Sequence, residues 1–413
     1  AHWTLHWEVL RSSSAKFQTT GGVTTAAKGA VTMIKRFSVL YVGQIDLENP
    51  GIDGTPADER RYPNEKLIEA YGNAEALAKH MDELGFYCMW TAEHHFQREG
   101  YEVFPNLILQ GVHLAGITKQ LKFGSGFNVV PNWHPIRLAE DYAMADIMTK
   151  GRLIFGVGRG YQSREVETFG SPVIDNDANK ELFEEQMEII FKCFNEDSFT
   201  HEGKHYSLPA HVPFRGYEVQ DITMVPRPIN TPVEIWQPVA SGRTLEYIAR
   251  KGIKGVVALT GDVLVNQLFN TYKDFAAEEG RNLTLGQDMA LGIGFCLGDS
   301  EQEAMDKVRP YHDERYKWFA PFGFVRYTDS EGRAWGTPGA PSRAPTIEEG
   351  IEQKVWYCGE PEGCIKFLHE MEERYPGLED VILQWPEAMP WEMYKDQLSR
   401  FAKDIMPEFT NRA

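Results

Sequence analysis

The chain has 413 residues, 42% hydrophobic and 25% charged, the balance of a globular protein long enough to bury a large core. Its formal net charge of −18 argues against nucleic acid or an anionic membrane as partner. Five cysteines, Cys88, Cys193, Cys296, Cys358 and Cys364, are scattered, odd in number and without a C-x-x-C pair. A disulfide framework or zinc knuckle is therefore not expected, and a reducing cytoplasm fits. No run of eighteen apolar residues marks a membrane span.

Residues 1–32 are rich in Ser, Thr, Gly and Ala, with Arg11, Lys16 and Lys28 against Glu8, and lack the apolar core of a signal peptide. They are read as a leader or disordered extension, with a transit peptide as the alternative. The fold is expected to occupy 33–413.

From Phe37 onward short β-like runs alternate with longer helical stretches. FSVLYVGQI (37–45) reads as a strand, rich in aromatic and β-branched residues. Segment 64–84 spaces its apolar residues by three and four, as an amphipathic helix does, and Gly85 closes it. Strand 87–95, helix 105–119, strand 121–130, helix 135–150 opened by Pro135, strand 152–158 and helix 178–195 follow. Strands 233–240, 255–260, 288–298 and 378–385 bring the count to eight, each with a plausible helix after it, the last at 390–406. Such alternation implies parallel strands. Eight units predict an α/β fold, a (β/α)8 TIM barrel with loop insertions at the mouth. The insertions are 198–232, with hairpin and Pro-pinned character, and 320–357, rich in Gly, Pro and Ser. Each reads either as a lid or as a passive surface excursion.

Barrel chemistry belongs at the C-terminal ends of strands. Three ends stand out. Glu93-His94-His95-Phe96 closes the second strand, where a histidine can serve as acid, base or donor. The alternative is a histidine that only bonds a loop. Alternation along a strand allows one of His94 and His95 at most to face a pocket. Gly156-Val157-Gly158-Arg159-Gly160-Tyr161 closes the fourth strand. Its glycines admit close backbone approach and Arg159 offers a fork for phosphate, although glycines at strand ends often only turn the chain. Ala240-Ser241-Gly242-Arg243-Thr244 opens a helix, where free N–H groups favour an anion; Ser241 is equally a plain N-cap.

His201-Glu202-Gly203-Lys204-His205 matches the H-E-x-x-H pattern of zinc proteases. That pattern needs a helix, and the surrounding Phe199, Tyr206 and Pro209 predict a hairpin instead. No metal is expected there.

Taken together these strand ends resemble the luciferase-like flavin monooxygenases. The resemblance rests on W-x-x-E-H-H-F (Trp90 to Phe96), H-P-I-R (His134 to Arg137), K-G-R-L-I-F-G-V-G-R-G (Lys150 to Gly160), G-E-P-E-G-C-I (Gly359 to Ile365) and D-I-M-P (Asp404 to Pro407). It covers most of 34–408. It implies reduced FMN supplied by a separate flavin reductase, O2, a small apolar organic substrate and a homodimer built through barrel helices. His94 matches the catalytic position. Gly126, Phe127, Asn128, Gly158, Arg159, Tyr161, Val239, Ala240, Ser241 and Gly242 fall at cofactor-binding positions, with Gly126–Phe127 as the site of a cis peptide beneath the flavin ring. Glu93 or a backbone carbonyl would fix the tautomer of His94. Trp90, Phe96, Phe127, Trp133 and Trp236 would wall the site, with ordinary core as the alternative for each.

Two departures limit what carries over. Gly158 stands where light-emitting members have a cysteine, and Val239, Ala240 and Arg243 stand where their phosphate residues are acidic or hydroxylated. Light emission is therefore not expected. The rival readings are an F420-dependent oxidoreductase and an inactive flavin-binding protein.

Overall fold

The computed structural model describes residues 33–239, 242–337 and 339–411. The leader expected at 1–32 and two of the expected cofactor-binding residues, Ala240 and Ser241, lie outside them.

Eight parallel strands close into a barrel: β1 Arg36–Tyr41, β2 Cys88–Thr91, β3 Lys122–Ser125, β4 Leu153–Gly158, β5 Ile235–Pro238, β6 Lys254–Ala258, β7 Met289–Leu297 and β8 Asp380–Gln384. Closure is explicit in the register. β1 pairs with both β8 (Phe37 with Val381) and β2 (Val39 with Met89), and β4 pairs with β5 (Phe155 with Ile235). The fold is the expected (β/α)8 barrel.

Alternation sorts each strand between two cores. On β2, Cys88 and Trp90 point inward and join Ile154, Trp236, Val256, Ala290 and Ile382 in a cluster of their own. Met89 points outward into the larger layer between strands and helices. The helix Glu69–Leu84 buries Ala70, Ala74, Leu77, Ala78 and Met81, the three-and-four spacing read from the sequence. It ends at Gly85, whose φ of 80° is the left-handed cap that glycine adopts without a Cβ penalty. The helix Asn176–Asn195 starts two residues before its expected position because Asp175 caps it, accepting from the N–H groups of Asp177 and Ala178.

The structure corrects several boundaries. The expected strand 37–45 stops at Tyr41 and 87–95 stops at Thr91, leaving His94 and His95 in the following loop. The expected strand 121–130 is split after Ser125. Its Gly126–Phe127 peptide is cis, and Asn128–Val129 then pairs alongside β4. An additional strand, Trp356–Gly359, was not expected; it pairs with the outer half of β7, Gly294 opposite Trp356.

The insertion 198–232 forms two short hairpins, His201–Glu202 with Ser207–Leu208 and Pro213–Phe214 with Tyr217–Glu218. The H-E-x-x-H stretch is thus a hairpin. Its turn is tied down by Glu185, which accepts from the backbone N–H groups of Lys204, His205 and Tyr206 and bonds the His201 ring. All five cysteines are buried and unpaired. Among the described residues no helix is long and apolar enough to cross a membrane.

Candidate active site

At the C-terminal end of the barrel lies a cavity of about 340 Å³. Its lining includes Trp90, Phe127, Gly158, Val239, Tyr316, Phe319 and Phe324. A smaller recess of about 70 Å³ lies beside it, its lining including Arg159, Lys180 and Arg243 together with the acidic Glu184. Arg159, Gln237 and Thr244 border both hollows.

His94 is buried at the cavity wall. Its Nε2 lies 2.9 Å from Glu102 Oε1 and its Nδ1 lies 3.2 Å from Glu165. Burial works against the charged ring, but the two carboxylates outweigh it and raise His94 from 6.5 to about 10. The ring is therefore an imidazolium at neutral pH, a proton donor rather than a resting base. Burial also pushes the Glu102 carboxyl up, yet the His94 charge and donors from Gln97 and Trp318 hold it below its usual range. Tyr161 packs edge-on against His94 at 5.6 Å between ring centroids.

Glu93 does not orient His94 as expected. It bonds the neighbouring His95 ring at 3.1 Å, accepts from Val129 N at 3.0 Å and from the Trp133 indole at 3.1 Å. His95 turns away and packs on Phe169. One histidine of the pair, His94, lines the cavity, but both lie past the end of the strand, so the loop and not strand alternation separates them.

Arg159 is held by helix Asn176–Asn195. Its Nη1 donates to Asn176 at 3.1 Å and to Asn179 at 3.2 Å, while the Asn179 amide donates back to the Arg159 carbonyl at 3.1 Å. Burial, with Arg243 nearby, presses against the Arg159 charge, partly offset by Glu184. Lys180 pairs with Glu184 at 3.2 Å and Arg243 with Asp177 at 3.2 Å, whereas Arg159 has only amide partners among the described residues, so it is the cation at this recess that an anion would relieve.

Of the other sequence candidates, Gly126, Phe127, Gly158, Arg159, Tyr161 and Val239 line the cavity. Asn128 does not. The strand alternation sends Phe127 and Val129 inward and Asn128 behind the wall, where its amide donates to Gly156 O at 2.9 Å. Gly242 begins the helix Gly242–Lys251, one residue before the recess. The Tyr161 side chain sits at the His94 end, away from the recess.

Among the expected aromatic walls, Trp90 and Phe127 hold. Phe96 is half exposed and stacks on Phe169, Trp133 is taken up by Glu93, and Trp236 lies in the layer below, edge-on to Trp90. Their places are filled by residues the sequence did not single out: Glu102, Glu165, Tyr316, Phe319, Phe324 and Arg326. Phe324 and Arg326 belong to the insertion 320–357, which therefore does cover the mouth. No described residue of 198–232 lines the cavity.

The donor set fits a flavin mononucleotide. The cationic recess suits a phosphate, and the flat-ringed chamber beyond it suits a ring system. Two buried amide atoms with no partner, Gln237 Oε1 and Gln384 Nε2, belong to side chains that line the chamber, and a polar ring edge would satisfy such groups.

The luciferase-like monooxygenase family model matches residues 49–376. The oxygenase component of flavin-dependent trigonelline monooxygenase from Acinetobacter baylyi is 26% identical over 366 residues, 85% of this chain and 93% of that protein. Among solved structures, the oxygenating constituent of 3,6-diketocamphane monooxygenase of Pseudomonas putida, in complex with FMN, superposes with a TM-score of 0.70 at 19% identity. That match covers 91% of this chain and 99% of that one. An F420-dependent secondary alcohol dehydrogenase matches at 0.58 and 12%, over 90% and 98%. At these identities the structures show the shared fold, and the family match carries the relationship. This chain belongs to the luciferase-like monooxygenases, an oxidoreductase built on their barrel.

Proposed function

We propose that the chain is the oxygenase component of a two-component system. It takes reduced FMN from a separate flavin reductase and uses O2 to monooxygenate a small organic substrate with an apolar body. One observation carries the reading: the recess at Arg159 shares Arg159, Gln237 and Thr244 with a ring-lined chamber that has His94 in its lining. The trigonelline relative's description as an oxygenase component supports the separate reductase.

In this reading Arg159 would hold the phosphate, with Lys180 and Arg243 nearby and with Asn176 and Asn179 fixing the Arg159 fork. Phe127, Gly158 and Val239 shape the bed of the ring, and Gln237 and Gln384 meet its polar edge. Bound reduced flavin supplies the electrons that activate O2. The apolar rings of the lining residues Tyr316, Phe319 and Phe324 would exclude water from the chamber. His94 holds a proton at Nδ1, where its contact to Glu165 is longer than the Nε2 contact to Glu102. It delivers that proton to oxygen in the chamber, while Glu102 keeps the ring oriented. Exposed Leu109, Met144 and Met148, on the helices Leu107–Gly116 and Pro135–Met148, offer an apolar face for a second copy.

Anaerobic spectral titration with reduced FMN and with reduced F420 tests the cofactor. FMN is expected to saturate and F420 to bind weakly or not at all. Tight F420 binding with no FMN response would move the chain to the dehydrogenase branch. Bound reduced FMN whose reoxidation never labels any substrate of a panel under 18O2 would favour an inactive flavin carrier.

A further inference from the structure

Four cationic side chains line the main cavity: His94, Arg159, Arg315 and Arg326. Three have their charge accounted for. His94 lies between Glu102 and Glu165. Arg315 pairs with the buried Glu387 at 2.5 Å. Arg159 faces the recess assigned above to the phosphate.

Arg326 is different. Among the described residues no carboxylate lies within ion-pair distance of it, and the one hydrogen bond of its side chain is from Nη1 to the Val239 carbonyl at 2.9 Å. Its guanidinium lies 5.4 Å from the Phe324 ring centroid. It does not border the phosphate recess. A partly buried guanidinium without a counter-charge is costly, and burial presses against its charge here. The remaining donors of its planar fork match a carboxylate.

Ring contacts run from Arg326 to the proton donor. Phe324 packs against Tyr161 at 4.8 Å, and Tyr161 against His94 at 5.6 Å. A molecule anchored by a carboxylate at Arg326 would lay its body along Phe324 and Tyr161 and bring its far end toward His94.

We infer that Arg326 is the specificity residue for an amphiphilic substrate: an apolar, ring-sized body bearing one carboxylate. This deepens the monooxygenase reading and rests on it for the reaction, though not for the binding.

Calorimetric titration of the full chain, alone and saturated with oxidised FMN, tests the inference. The probes are benzoate, cinnamate and 2-naphthoate, each against its primary amide. At least one carboxylate is expected to bind about tenfold or more tighter than its amide, the scale of a charge-assisted hydrogen bond. Arg326→Met should bring that ratio close to one while changing FMN affinity far less than carboxylate affinity, and Arg326→Lys should keep part of it. A panel in which no carboxylate outbinds its amide overturns the inference, as does a preference that survives in Arg326→Met. Equal losses of FMN and carboxylate affinity in Arg326→Met would assign the residue to the cofactor and also overturn it. Should Arg326→Met not fold, the wild-type ratio and Arg326→Lys still decide. Failure of the flavin reading would show separately, as a wild-type chain that prefers carboxylates without FMN yet never binds FMN.

Discussion

The imidazole of His94 is bracketed by two buried carboxylates, Nε2 at 2.9 Å from Glu102 and Nδ1 at 3.2 Å from Glu165. Its folded value of about 10 exceeds the ordinary 6.5, so the folded state binds a proton that the unfolded chain releases between those values. The stability this contributes is fully present below 6.5, declines as pH rises and is gone above about 10. The depressed Glu102 acts in the opposite direction. Its contribution is present above 4.5 and is lost as pH falls. Histidine-labelled NMR of the flavin-free protein should show His94 protonated at pH 8, and Glu102→Gln should lower its titration point. A midpoint near 6.5 in the wild type would contradict the bracketed imidazolium.

His94→Asn should cut turnover at least roughly tenfold, the usual worth of positioned proton transfer, with FMN affinity nearly unchanged. Steady-state rates beside flavin titrations check this. Full activity in the variant would remove His94 from the mechanism.

Two glycines should respond in opposite ways to a methyl group. A Cβ on Gly156 would sit 1.7 Å from the Ser125 carbonyl oxygen, a backbone atom that cannot step aside. Gly156→Ala should therefore destabilise by at least about 3 kcal/mol. Gly72 lies on the exposed face of helix Glu69–Leu84 with nothing within 4 Å. Gly72→Ala should stabilise by about 0.5–1 kcal/mol. Denaturant unfolding of both variants reads the contrast; equal effects would mean that the β3–β4 approach is looser than described.

Asn179 touches both the guanidinium and the carbonyl of Arg159, yet nothing in its local sequence marks it. Asn179→Ala should weaken FMN binding roughly tenfold, the scale of a lost hydrogen bond to a charged group. Riboflavin binding should hardly change. A matched loss for both ligands would make Asn179 a general structural residue.

The eight barrel strands were legible because β-branched and aromatic runs alternated with helical spacing over most of the chain. Trp356–Gly359 was not: it is four residues long, follows a Gly- and Pro-rich stretch, and exists because β7 extends far enough to pair with it. At the site, His94, Gly158 and Arg159 could be singled out because each was expected at or just past the end of a strand, while Phe127, inside the expected strand 121–130, was named only through the family resemblance. Glu165 reaches His94 across 71 positions of sequence, and Phe324 reaches Tyr161 from the segment after helix Glu301–Phe319. Barrel closure and the mouth insertion make those contacts, and no local pattern encodes them. Trp236 shows the converse error. Expected as a cavity wall or as core, it lies in the barrel's inner core against Trp90 and does not line the cavity.

The most direct measurement compares FMN with riboflavin, ligands that share a ring system and differ by the phosphate, in the wild type and in Arg159→Met. The wild type should prefer FMN by about a hundredfold or more, as expected for a phosphate gripped by several charge-assisted bonds, and Arg159→Met should lose most of that preference while riboflavin affinity stays put. Equal binding of the two flavins by the wild type, or a preference untouched by the substitution, would contradict the placement of a flavin phosphate at Arg159.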